Sequence, residues 1–394
     1  MNKRDILELK RRFTKRDCNF NRICGCYVNS EKQVLAKINE HFLNLEDKVF
    51  YKYLELAKKT LSGAIGNNLL ELEINYDENN NNDFQNILLE LRDCDLKNED
   101  LVEQLFDHII ANYEYIGNYL ILLFHDTYDV ITKTSDNMRL DDSQDVHKYI
   151  ICAICPVNLA KPALSYLSDE NTFGARIQDW VVGAPDYGFT YPAFTDRSSD
   201  IHNLMYYTKD PKAPKKSFME EGLFCKSRQT ASEQKEVIID VIKDAAEADV
   251  ELGENLLMEF QQGLNDMVTY KEEVECNKLD PVLLSEDNIR LALEDSMLPR
   301  ETVEKVENAL IEVFSENPPD ASLMIDSKAL IAHEQKVKEQ SLVKEVIELK
   351  RQLANELENV LTTEDIMIRA TQEGIAQIIT TQIDGKDCLV IPLK

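Results

Sequence analysis

From about residue 115 to residue 210 the chain is apolar, aromatic and cysteine-bearing, and the segments on either side are mostly charged with helical spacing. This stretch holds the only tryptophan, Trp180, and the strings YIICAICPVNLAKP (149–162) and DWVVGAPDYGFTYPAFTDRSSDIHN (179–203). Gly, Pro and aromatic residues at such close intervals suit irregular, buried backbone and not a helix face. A binding surface is expected there, although none of its spacings matches a catalytic or metal motif.

Apolar periodicity predicts a short helix over 2–13 and a hairpin from strands near 20–28 and 34–38. An amphipathic helix follows over 45–61, with Val49, Phe50, Tyr53, Leu54, Ala57 and Leu61 on one face. A strand over 68–76, helices over 84–92 and 100–112, and a strand at Tyr119–Phe124 come next. A polar loop over 132–144 should lead to a strand at 146–154 that Pro156 breaks, then to strands at 178–182 and 203–208. Helices of unequal length without a βαβ repeat give the fold class α+β, with an N-terminal mixed, largely antiparallel sheet.

DPKAPKK (210–216) reads as a boundary, and beyond it the spacing turns helical over 217–224, 230–247, 251–274, 285–296 and 299–315. ENPPD (316–320) is a second linker. The expected division is an α+β domain over 1–210, an acidic helical domain over 217–320, and a long helix with a C-terminal β-hairpin over 321–394. The long helix covers 326–361, where Leu342, Val346, Leu349, Leu353 and Leu357 recur every three or four residues. Such a seam either packs on the domain or forms a short coiled coil, allowing self-association. A strand at 366–369 precedes the closing hairpin, whose Asp384-Gly385 pair tolerates the positive φ of a two-residue turn.

The net charge of −28 is uneven. Residues 1–220 hold 26 basic and 35 acidic side chains, and residues 221–394 hold 18 and 37. Against that background residues 1–22 are locally basic, with Lys3, Arg4, Lys10, Arg11, Arg12, Lys15, Arg16 and Arg22 facing only Asp5, Glu8 and Asp17. This is either a solvated helix end or an anion-facing patch, to which Lys212, Lys215 and Lys216 would add. The acidic bulk argues against indiscriminate nucleic-acid binding.

The charged N-terminus, the lack of a long apolar run and an odd number of cysteines, nine, lead to the expectation of a cytoplasmic protein away from membranes. Cys24 with Cys26 and Cys152 with Cys155 are weak candidates for a four-thiolate zinc site, with buried small thiols as the plainer reading. Asp196, Arg197, Asp200 and His202 are weak candidates for acid–base chemistry or metal-assisted hydrolysis, against a reading as turn caps. His125-Asp126 at a strand end is a further candidate, and Asp179, Trp180 and Asp186 read as a loop anchoring a buried aromatic. No cofactor is expected.

RICGCYV (22–28), KTLSGAIGNNLLELE (59–73), YIGNYLILLFHDTYDV (115–130), YIICAICPVNLAKPALSY (149–166), DWVVGAPDYGFTYPAFTDRSSDIHNLMYYTK (179–209) and IDGKDCLVIPLK (383–394) resemble an uncharacterised family of Firmicutes known only as a domain of unknown function. LILLFHD (120–126), YIICAICPV (149–157), NLMYYTKDPKAPKKSFMEEGLFC (203–225) and IITTQIDGKDCLVI (378–391) are similar, more distantly, to the bacterial nucleoid-associated protein family. Where those relatives tend to have glycine and basic residues, this chain has Phe224, Asp210 and Pro211. The resemblance implies a non-enzymatic protein that binds nucleic acid weakly and without sequence preference, directly or within an assembly, through the basic N-terminal helix and Lys212, Lys215 and Lys216. The alternative is a protein-interaction scaffold acting through the acidic helical half and the long helix.

Overall fold

The computed structural model describes residues 3–76, 82–133, 139–169, 171–175, 178–247, 249–274, 281–294, 296, 298–315, 317–357, 360–362, 367–369 and 372–392. Along the first half, α1 (Lys3–Arg11), β1 (Arg22–Val28), β2 (Val34–His41), α2 (Asp47–Lys59), β3 (Leu69–Glu73), α3 (Asp83–Asp93) and α4 (Glu99–Asn112) precede two long strands, β4 (Asn118–Lys133) and β5 (Arg139–Leu159). Short strands follow: β6 (Leu164–Leu167), β7 (Thr172–Ala175), β8 (Trp180–Val182), β9 (Tyr187–Tyr191), β10 (Ala193–Thr195), β11 (Ser198–Asp200) and β12 (Asn203–Thr208). The rest is α5 (Ala231–Ala245), α6 (Val250–Val274), α7 (Glu286–Leu293), α8 (Arg300–Phe314), α9 (Ala321–Met324), α10 (Ser327–Leu357), β13 (Val360–Thr362), β14 (Met367–Arg369), α11 (Gln372–Ile375), β15 (Ile379–Ile383) and β16 (Lys386–Val390).

The fold is α+β. Its centre is an eight-stranded sheet in the order β2-β1-β4-β5-β9-β12-β3, with β8 also paired to β5. Neighbouring strands run antiparallel throughout. Alternation along the strands explains why both faces are covered. Cys24, Cys26, Ile121, Leu123, Ile150 and Cys152 point to a core closed by α3 and α4. Ile23, Leu122, Phe124, Tyr149, Ile151 and Ala153 point to the opposite core, closed by α1 and α2. Strands buried on both sides need apolar residues at consecutive positions, which is the run seen in YIICAICP.

Four readings of the sequence change here. Pro156 does not break its strand: β5 continues to Leu159, with Pro156 opposite Tyr119. The carbonyl of Pro156 accepts from Gly183 (2.8 Å), so its missing N–H faces the gap where β8 ends and β9 has not begun. The expected polar loop over 132–144 shrinks, because β4 reaches Lys133 and β5 starts at Arg139, while residues 134–138 lie outside the described residues. His125-Asp126 lies within β4, not at a strand end. Finally, Trp180 is no buried anchor; it is 56% exposed on β8.

Two compact units divide the chain: residues 1–244 with 316–324, and residues 245–315 with 325–394. In the second, Leu256, Phe260 and Leu264 form a buried four-residue spacing on α6, and Gly263 lets α7 approach closely at Ala292. Asp384 and Gly385 both adopt positive φ (51° and 75°) between β15 and β16, as a two-residue hairpin turn requires. Among the described residues no helix is long and apolar enough to cross a membrane.

Candidate interaction site

Helix α1 turns Ile6 and Leu9 into the core and leaves Lys3, Arg4 and Arg11 exposed. Lys10, Arg12, Lys15, Arg16 and Arg22 are held by the chain itself. Arg12 Nη2 pairs with Asp126 Oδ1 (3.3 Å) and donates to the Thr127 carbonyl (3.0 Å), and its guanidinium lies 4.3 Å over the Tyr128 ring. Lys15 pairs with Asp47 (2.5 Å) and Arg16 with Asp17 (3.0 Å). Lys10 donates to Ser62 Oγ (3.1 Å); burial, with Lys58 and Lys59 nearby, lowers its pKa. Arg22 Nε donates to Asn39 Oδ1 (2.7 Å).

The downstream lysines are similarly engaged. Lys212 pairs with Glu236 (2.8 Å) and Lys216 with Glu233 (3.2 Å). Lys215 donates to the Glu114 carbonyl and sits 4.2 Å over the Tyr113 ring, where burial lowers its pKa. Each ion pair with an exposed partner is worth little stability, about 0–1 kcal/mol, yet each cancels charge that a phosphate would otherwise meet.

Asp196 and Arg197 are the two positive-φ residues (49° and 62°) turning β10 into β11. Arg197 reaches Glu8 of α1 (3.1 Å). Asp200 accepts from the His202 N–H (3.0 Å) and from Asn203 Nδ2 (2.6 Å), whereas the His202 ring meets the Tyr76 hydroxyl (2.7 Å). The side chains of Arg197, Asp200 and His202 thus turn to different partners. The cysteine pairs diverge too. Cys152 points to the α3–α4 face and Cys155 to the α1–α2 face, since residues three apart in a strand lie on opposite sides. Burial pushes Cys24 and Cys26 up to about 11 and Cys155 up to about 12, which disfavours thiolate ligands. Among the described residues no cluster of three or more metal-ligating side chains forms.

Helix α10, of 31 residues, presents the most distinctive surface. Its start is anchored: Leu330 is buried, and the Asp326 N–H just before it donates to Gln261 Oε1 of α6 (3.1 Å). From Glu334 to Gln352 every residue is exposed. Val337, Leu342, Val343, Val346, Ile347 and Leu349 all stand in solvent, Leu342 at 60% and Ile347 at 61%. At 100° per residue, Leu342, Val346 and Leu349 form one stripe with Val343 and Ile347 on its flank.

Residues 1–394 match the model of a family described as a domain of unknown function, DUF4317. The chain belongs to the DUF4317 family. No curated protein matches it.

In this DUF4317 chain, α10 also differs from the rest in charge. It carries six basic and five acidic side chains within a molecule of net charge −28. Both signs are interspersed, with exposed Glu334–Lys338 and Glu348–Arg351 pairs along the helix. The apolar stripe was legible from the leucine spacing, but its exposure was not, because spacing does not say what covers a face.

Proposed function

We propose that this DUF4317 chain is a non-enzymatic interaction protein that pairs with a second copy of itself through α10. The observation that carries the reading is the apolar stripe Leu342–Val346–Leu349, exposed on a helix that is solvated on all sides from Glu334 to Gln352. A helix solvated all round has only weak i,i+4 pairs to hold it, and burying its stripe supplies what they lack. A second copy is favoured as the occupant because α10 is nearly charge-balanced. Two bodies of −28 repel each other, and a neutral, mixed-sign helix is where they meet at least cost. In a parallel pairing, Glu345 of one copy lies opposite Lys350 of the other, as flanking charges of a coiled coil do.

Light scattering on the full chain tests this. A dimer that becomes a monomer in Leu342→Glu/Val346→Glu, with unchanged circular dichroism, supports the reading. A monomer at tens of micromolar, or a dimer indifferent to the substitutions, ends it.

A second reading, weak nucleic-acid binding of the kind implied by the similarity to the nucleoid-associated family of bacteria, is supported by the exposure of Lys3 and Arg11 on α1. Filter binding with Lys3, Arg11 and Arg16 changed to Glu tests it; Arg12 is left alone because it holds a buried carboxylate. Affinity and salt dependence should both fall, and unchanged binding removes this surface.

A further inference from the structure

The register of the sheet assembles a polar row that no sequence spacing reveals. Arg22 of β1 lies opposite His41 on β2 and opposite His125 on β4, so the three residues share one face of the sheet, the side covered by α3 and α4. Lys148 of β5, opposite Thr127, joins the same face. Over this row hangs the loop between α3 and α4, which brings Asp95 and Lys97. A cleft of about 490 Å³ opens here, lined by Asn21, Arg22, His41, Asn44, Asp95 and Lys97 among others.

Two features set this cleft apart from an ordinary charged surface. The first is the backbone at Asp95. The Leu96 N–H bonds back to the Leu91 carbonyl (3.0 Å) and the Asp95 N–H to the Arg92 carbonyl (3.4 Å), a helix-terminating pattern whose left-handed residue is usually glycine. Here it is Asp95 (φ 56°), followed by Leu96 (φ 57°), which plugs the core. An aspartate at that position carries a steric cost that glycine would avoid, and what it gains is a carboxylate aimed at the row.

The second is His125. Its ring is fully buried, with Nδ1 3.4 Å from Asn21 Nδ2 and Nε2 3.5 Å from Asp95 Oδ1, and the Arg92 backbone bonds it as well. The two residues flanking the ring, Asn21 and Asp95, both line the cleft. Desolvation lowers the pKa of the imidazole, and the Asp95 charge opposes that shift.

Arg22, Lys97 and Lys148 bring three positive charges to the row against the single one of Asp95, which Lys97 (2.9 Å) and Lys148 (3.5 Å) already approach. Glu99 stands one step away, bonded to Asn39 (2.8 Å), the same amide whose oxygen holds Arg22 Nε. The Arg22 fork therefore keeps its terminal nitrogens for another acceptor.

We propose that this cleft is a binding site for a small oxyanion, the phosphate or carboxylate group of a soluble compound. Arg22 and Lys97 contact the anion, and Asp95 accepts from a neighbouring hydroxyl of the ligand. This site is separate from the α10 surface and does not depend on it.

The full-length chain is titrated separately with inorganic phosphate and with acetate, at constant ionic strength, following melting temperature and calorimetric heat. A saturable rise in melting temperature with one of the two is expected, and which one saturates identifies the anion as phosphate or carboxylate. Arg22→Gln and Lys97→Gln, both at the rim, should each weaken that response at least tenfold, while Arg16→Gln, on the unrelated N-terminal segment, should not change it. No saturable response to either anion overturns the proposal. So does a response that survives both rim substitutions, since a non-specific anion effect would behave that way.

Discussion

Tyr149 donates its hydroxyl to Asp126 Oδ2 across 2.5 Å inside the core that α1 covers, with Tyr149 fully buried and Asp126 at 1% exposure. The same carboxylate accepts from the Thr127 N–H (2.8 Å) and faces Arg12 (3.3 Å). Burial raises the pKa of Asp126, and the charge of Arg12 with the bonds from Tyr149 and Thr127 opposes that rise. Arg12, on first reading a nucleic-acid contact, is therefore a structural cation.

Arg12→Met should leave Asp126 buried without its counter-charge. The expected loss is about 3–5 kcal/mol, the range for removing one partner of a buried pair. Urea unfolding of the two proteins measures it, and a loss below 1 kcal/mol would show the pair to be solvated. Lys15→Met, at an exposed pair, serves as the comparison and should change stability by less than about 1 kcal/mol.

Acid should weaken the fold through His147. Burial, with Arg12 and Arg92 nearby, lowers its pKa to about 3, and its Nδ1 lies within hydrogen-bond distance of Ser199 Oγ (2.5 Å). Because the folded pKa lies below the unfolded value, the unfolded chain binds the extra proton. Stability from this group is complete above about pH 6.5 and is lost as pH falls toward 3, at about 1.4 kcal/mol per pH unit. Asp126, whose pKa is raised, acts in the opposite sense and loses stability as pH rises through its folded pKa. His147→Gln isolates the histidine: the variant should lose about 2 kcal/mol less than the wild type between pH 6.5 and pH 5 in urea melts.

Gly188 sits where β9 passes β5. A Cβ there would lie 2.4 Å from the Cys152 carbonyl oxygen and 2.9 Å from Thr60 Cγ2. Gly188→Ala must push apart a strand pair at the centre of the sheet, with an expected cost of at least about 1–3 kcal/mol. Gly263→Ala, whose Cβ would meet the Ala292 carbonyl at 2.1 Å, should have a similar effect on α6 and α7. Thermal melts of both variants give the answer, and an unchanged melting temperature would contradict these close approaches.

Thiol reactivity should follow burial. Cys18, Cys24, Cys26, Cys152, Cys155 and Cys225 are buried, whereas Cys94 and Cys388 are partly exposed. Burial pushes Cys18 and Cys225 up to about 12, so few thiolates exist there at neutral pH. Mass-spectrometric mapping after brief treatment with a thiol reagent should find label on Cys94 and Cys388 before the buried six. Early labelling of Cys152 would show that the sheet opens easily.

Elements that depend on neighbours in sequence were legible before any coordinates. Helix α2 follows from Phe50, Leu54 and Ala57, which are buried at helical spacing. The β15–β16 hairpin follows from Asp384-Gly385, and the β1–β2 hairpin from its flanking alternation. Strand β9 was missed because YGFTY is buried at all five positions, leaving no alternation to detect. Pro156 misled because a proline breaks a strand only when its N–H is needed by a neighbour, and here the neighbouring strand is interrupted. The exposure of Trp180 was equally hidden, since an aromatic in a Gly- and Pro-rich stretch looks the same in sequence whether it is covered or not.

Helix spacing, turn chemistry and the apolar run of the central strands are properties of adjacent residues, and so the amino-acid order by itself determined the α+β class and most of the elements. Whether a cation is free or neutralised depends on a carboxylate more than a hundred residues away, as for Arg12 and Asp126. Which polar groups share a face depends on strand register, as for His41, Arg22 and His125. Those matters were decided only by the tertiary structure, because charge pairing and register act through space and leave no local periodicity in the chain.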